Sequence, residues 1–249
     1  MRKRNQGLTL IELVIVLAIL AAVGGFVIPM LPNMLSKTRV ASGASNIPEL
    51  NKAIELYQSL YGAYPDKFDD ITDAGSYFPY WGAQGTADIY QTSDLTAAEA
   101  ALLVDAGIAD VENLVVDPAT FTADQSTTWN PYVDPATETS PAANMTVFEL
   151  DPAAATRLFG VDPTDQRFVI LGIGNKCTIV GRTVHEAPTH FNEAPGFHAQ
   201  EMYSRYCAVF SINETNEIVR FMGCIAVTQD GPMTASGHVA EYWNDRESL

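Results

Sequence analysis

The chain has 249 residues, 30 acidic against 14 basic side chains, and a formal net charge of −16. That surplus of carboxylates argues against nucleic-acid binding through the phosphate backbone, which needs clustered Lys and Arg, and it disfavours adhesion to anionic lipid. The length suffices for one long helix and one domain of ordinary size.

Three of the cations, Arg2, Lys3 and Arg4, stand together ahead of Gly7. The 24 positions from Leu8 to Leu31 are then almost wholly apolar. At 1.5 Å per residue they make about 36 Å of helix, enough for the ~30 Å core of a bilayer. The basic flank stays in the cytoplasm and the acidic bulk is exported. Removing the three leader cations takes the formal charge from −16 to −19. Glu12 interrupts the apolar run. A charge near the middle of such a helix costs roughly 2.5–3.5 kcal/mol, so it persists only with a partner. An ordinary secretory signal would have an apolar region of only about 7–15 residues, with its cut near Ala21-Ala22-Val23. A plain single-span anchor explains the length but not Glu12.

Arg2, Lys3, Arg4, Gly7, Leu8, Thr9, Leu10, Ile11 and Glu12 together resemble the class III leader of type IV pilins and of the pseudopilins of type II secretion systems. The departure is Leu8, where Phe or Met is more usual. The resemblance implies cleavage between Gly7 and Leu8 by a prepilin peptidase and methylation of the new amine on Leu8. It implies that Glu12 pairs with the N-terminal amine of a neighbouring subunit as helices bundle. It further implies a single-pass protein of the bacterial inner membrane with its C-terminal domain periplasmic or extracellular. The expected partners are other pilin-like subunits in a homo- or hetero-polymer, the peptidase, and an inner-membrane assembly platform driven by an ATPase.

Pro29 and Pro32, with Gly24 and Gly25 before them, fall where the apolar run ends and weaken helical hydrogen bonding. Val40, Ala44, Ile47, Leu50, Ile54, Tyr57 and Tyr61 then follow steps of three and four, an apolar stripe for packing on a domain. Pro48 is expected to bend or restart this helix, with Asn46 as cap. Gly62 and Pro65 end it. Ala53-Ile54, Tyr57 and Gly62-Ala63-Tyr64-Pro65 resemble the corresponding stretch of the major pseudopilin.

Residues 66–92 read as loop. Thr96-Ala97-Ala98-Glu99 is a capping box opening a short helix to Ala106, closed by Gly107. Residues 117–144 read as an irregular insertion. Strands are expected over Thr146–Leu150, Arg167–Gly172, Cys177–Val184, Tyr203–Ile212 and Glu217–Val227, the last two joined by a hairpin loop at 213–216. Export makes a disulfide plausible among Cys177, Cys207 and Cys224. Cys207–Cys224 is the favoured pair if a bulge or shifted loop closes a two-residue mismatch; otherwise the three are buried thiols in strands.

His185-Glu186-Ala187-Pro188-Thr189-His190 has one residue too many for a zinc-protease helix, and Pro188 breaks that helix. A loop metal site with Glu193 and His198 is the alternative to surface histidines. Asp66, Asp69, Asp70 and Asp73 carry the oxygen ligands that calcium takes, without EF-hand spacing. Some pseudopilins hold calcium in a C-terminal loop, which here would lie near Asp230-Gly231-Pro232. No other cofactor is expected. No phosphate loop or Gly-x-Ser-x-Gly elbow is present.

The expected fold is α+β, pilin-like: a long N-terminal helix on a mainly antiparallel β domain. The expected divisions are a leader (1–7), a transmembrane helix (8–32), its amphipathic continuation (33–62) and a globular domain (63–249). The expected function is a non-enzymatic subunit of a type II secretion pseudopilus or type IV pilus-like filament. The alternative is a membrane-anchored extracytoplasmic binding or hydrolytic domain.

Overall fold

A computed structural model describes residues 10–27, 31–73, 76–77, 89–113, 137–190, 203, 205–228 and 231–240. Helix α1 runs Leu10–Val27 and α2 Leu31–Tyr61. Pro32 sits in the first turn of α2, where a missing N–H removes no helical hydrogen bond. Pro29 lies outside the described residues. Pro48 does not restart the helix: α2 runs through it to Tyr61. The burial of Ile47 and Leu50 on either side holds the turn in place. Asn46 is no cap: its Nδ2 donates to Ser42 Oγ and to Tyr206 OH at 3.3 Å. Gly62 ends the helix with φ 73°, the left-handed conformation that favours glycine.

Eleven strands follow: β1 Phe68–Asp70, β2 Thr72–Asp73, β3 Ser76–Tyr77, β4 Tyr90–Asp94, β5 Val111–Asn113, β6 Thr137–Thr139, β7 Thr146–Leu150, β8 Arg167–Gly172, β9 Tyr206–Asn213, β10 Ile218–Thr228 and β11 Gly231–Met233. Helix α3 is Ala97–Asp105, α4 is Pro152–Phe159, and residues 235–240 form a last short helix, α5. The main sheet has the order β11-β10-β9-β8-β1-β5-β6, with β4 and β7 joined to it beside β8. Among the described strands only β1 and β5 pair in parallel. The stretch 66–92, expected as loop, contains β1, β2, β3 and the start of β4. Residues 137–139, inside the expected insertion, are strand, whereas 114–136 lie outside the described residues.

The sheet is covered on both faces. On one lie Phe68, Val169, Leu171, Ala208, Phe210 and Cys224, under Ile47, Leu50, Ile54 and Tyr57 of α2 and Leu103 of α3. On the other lie Phe168, Ile170, Cys207, Val209 and Ile225, under Ala154 and Ala155 of α4 and Tyr203. This two-sided cover explains why β9 is buried almost end to end. The α2 stripe packs as expected from Ile47 to Tyr57, while Tyr61 stays exposed.

Two further expectations are corrected. Residues 177–184 are a series of tight turns rather than a strand. Val180 N donates to Cys177 O, Gly181 N to Val184 O, and the only strand-like pairing is a single bridge from Val180 to Val184. Thr178 is held through both its backbone and its hydroxyl to Asp66, which fixes the turns over the core. The expected Cys207–Cys224 disulfide is also absent: both thiols are free and buried. The register pairing Ile218 with Asn213, continued evenly, would bring Cys224 opposite Cys207. A bulge between Phe221 and Gly223 adds one residue, so Cys224 faces Ala208 and Cys207 faces Ile225. A one-residue slip sends a side chain to the other face of the sheet.

Candidate functional site

Helix α1 is apolar on every side, an arrangement stable only when covered all round. Ten of its large apolar residues, from Leu10 to Val23, are at least half exposed. Covering such side chains is worth about 1.5–3 kcal/mol each. Left in water, ten would outweigh the roughly 5–15 kcal/mol that stabilises a whole domain. A bilayer, other helices, or both must therefore enclose α1. Glu12 lies in its first turn, where the positive end of the helix dipole favours a carboxylate. Gly7 and Leu8 lie outside the described residues. As described, α1 is 18 residues, about 27 Å long, and no helix among the described residues is long and apolar enough to cross a membrane.

The second half of the helical arm is fastened to the domain by polar bonds that its stripe does not announce. Asn51 Oδ1 accepts from Cys224 N at 2.6 Å, and Tyr64 OH, three residues past the helix end, accepts from Phe221 N at 3.1 Å. Both N–H groups belong to β10 beside its bulge. Arg182 stacks over the rings of Tyr57 and Tyr61, with Nη1 donating to Tyr57 OH at 2.9 Å. Asn51→Ala leaves the Cys224 N–H without this acceptor, and the expected loss is about 1–3 kcal/mol. A urea titration should read that loss, with Asn51→Asp, which keeps an acceptor oxygen, closer to the parent.

The carboxylates weighed for calcium do not converge. Asp69 and Asp70 are successive strand residues and point to opposite faces. Asp70 accepts from Thr72 N and Oγ1, and Asp66 accepts from Asp110 N. The side chain of Asp73 and residue 230 lie outside the described residues. Asp69, Glu112 and Glu138 form instead a row across β1, β5 and β6. Burial pushes the Asp69 carboxyl up to about 7, against the hydrogen bond from Tyr203 OH at 2.7 Å and the nearby Arg205 charge. Burial raises Glu112 too, and Lys176 opposes it. Lys67, 2.8 Å away, lowers Glu138. Cations thus sit where a metal would be needed. Among the described residues no group of three or more His, Cys, Asp or Glu is placed to hold a metal.

Of the histidines, His185 is exposed in a turn. His190 is half-buried rather than fully exposed: its ring lies 5.4 Å from those of Tyr206 and His238. Glu193 and His198 lie outside the described residues. Nothing in the sequence pattern announces the His190–His238 pair, because the two are distant in the chain and only the fold joins them.

Residues 2–28 match the family model described as the prokaryotic N-terminal methylation motif. No curated protein and no solved structure matches the chain.

Proposed function

We propose that this chain, which carries the type IV pilin and pseudopilin signature at residues 2–28, is a structural filament subunit and not an enzyme. The motif indicates processing by a prepilin peptidase. The observation that carries the filament reading is α1 itself. It is apolar on all sides and bears one carboxylate in its first turn, so it needs full enclosure. The monomer would wait in the inner membrane with α1 enclosed by lipid. An assembly platform powered by an ATPase would then transfer it into a bundle of like helices, with the acidic domains outside. Within this class we favour a type II secretion pseudopilus over a surface pilus, on the resemblance of residues 53–65 to the major pseudopilin. Calcium and a catalytic role for the domain form no part of this reading.

Processing supplies the direct test. Mass spectrometry of the mature protein is expected to find methylated Leu8 at the N-terminus. Gly7→Val places a side chain before the cut and should leave the leader attached, lengthening the membrane form by seven residues. A mature terminus near Ala22 would instead mean an ordinary secretory signal and would remove the filament reading.

A further inference from the structure

We propose that the sheet carries, at the end where β9 turns into β10, a pocket for a small hydroxylated carboxylic acid, with Arg220 as the anchor of the carboxylate. Strand pairing builds the pocket. Ser211 stands opposite Phe168 of β8 on one side and opposite Arg220 of β10 on the other, and Asn213 stands opposite Ile218. Directly opposed residues share a face, and residues two apart along a strand return to it. Phe168 belongs to the core under α4, which identifies the face. The apolar cluster there includes Phe168 and Val209 but neither Ser211 nor Arg220. At this level Gln166, Ser211, Asn213, Asn216, Ile218 and Arg220 line a pocket of about 100 Å³. All six are described residues, and three paired strands hold them.

The lining carries one cation and no carboxylate, in a chain with 30 acidic against 14 basic side chains. A guanidinium presents two parallel N–H groups to a carboxylate, a match in geometry as well as charge. One cation suits one negative charge, which favours a carboxylate over a doubly charged phosphate. Ser211 is 2 % exposed, so its place is the pocket floor. Among the described residues its hydroxyl has no hydrogen-bond partner, and a hydroxyl both donates and accepts.

Two amides have their orientation fixed by bonds to the backbone. Asn213 Oδ1 accepts from Asn216 N at 2.8 Å, which leaves Nδ2 as a donor. Gln166 Nε2 donates to Asp162 O at 2.7 Å, which leaves Oε1 as an acceptor. An acceptor in the same pocket as a guanidinium is satisfied by a ligand hydroxyl and repelled by a second carboxylate. The set therefore fits a carboxylate with a hydroxyl beside it, as in a uronic acid. A pocket of this size takes the acid end of such a ligand and leaves the rest outside. The site is separate from the N-terminal motif and does not depend on whether the subunit polymerises.

The test titrates the full chain in detergent micelles with galacturonate and reads binding by saturation-transfer NMR. Saturable binding is expected. Galactose, which lacks the carboxylate, and acetate, which lacks the hydroxyls, should each bind at least about 10-fold more weakly. Arg220→Gln should weaken galacturonate by at least about 10-fold. Arg220→Lys keeps the charge without the fork and should fall between. Ser211→Ala should weaken it several-fold. Arg157→Gln, which removes an exposed cation on α4 outside the pocket, should change nothing. Because Arg220 is exposed, its variants should keep the parent melting temperature. No saturable galacturonate binding, equal affinity in parent and Arg220→Gln, or galactose binding as tightly as galacturonate would overturn the proposal. Acetate or inorganic phosphate binding as tightly would also overturn it, and would mean an adventitious ion only.

Discussion

Replacing Glu12 by leucine is expected to suppress filament incorporation while membrane level, cleavage after Gly7 and folding of the domain stay normal. In a simple anchor the same change removes a charge from an apolar segment and makes insertion easier. In a helical bundle it deprives the neighbouring Leu8 amine of its counter-charge. Leaving one half of a buried ion pair alone typically costs about 3–5 kcal/mol. Each addition step then weakens by roughly 100- to 5,000-fold. Because a filament multiplies this loss over its subunits, assembly should fail well before any effect on the monomer is seen. Crosslinking or shearing of filaments, read beside an immunoblot of membranes, separates the two. Normal incorporation of Glu12→Leu would favour the anchor reading.

Ile54→Asp is expected to unfold the domain or bring it close to unfolding. Ile54 is fully buried in the α2 stripe, within the same core as Leu50, Tyr57, Leu171 and Phe210. The change loses the apolar burial and places a carboxylate where no partner stands ready, for several kcal/mol in total. Against a stability of about 5–15 kcal/mol, that is a large fraction. The comparison suits a fragment beginning at Asn33, which retains the stripe and the whole sheet. A Glu55→Ala control on the exposed face should be nearly neutral. An unchanged melting temperature in Ile54→Asp would show that the stripe does not carry the domain.

What the sequence made legible was local. The stripe from Ile47 to Tyr57, the stop at Gly62 and the capping box of Thr96 and Glu99 depend on neighbours in the chain, and all three are found. Helix α4 carries equally plain local signals: Asp151 as N-cap, Pro152 in the first turn, and Gly160 at φ 67° as its end. Strand β1 was hidden for a different reason. Its Phe-Asp-Asp sequence has poor strand propensity, and only distant partners, Tyr203 and Gly172 among them, make it a buried strand. Residues 177–184 misled in the opposite direction, because burial without regular pairing gives the same apolar pattern as a strand. The cysteine pair failed on one residue. Whether Cys207 and Cys224 share a face depends on the bulge at Gly223, and a bulge has no reliable sequence signal. At the N-terminus the motif was legible because leader charge, glycine, glutamate and apolar run must coincide.

Strand β10 runs for eleven residues, yet β11 pairs with only its last three. Elsewhere along the strand, Asn51 of α2 and Tyr64, just past the end of that helix, accept from two of its backbone N–H groups. An open strand of that length would be a template for pairing with another chain. In the filament reading, the arm that follows the polymerising segment thus also satisfies part of β10. A change that loosens α2 from β10 would therefore do more than lower stability: it would leave backbone N–H groups of β10 open to pairing with another chain.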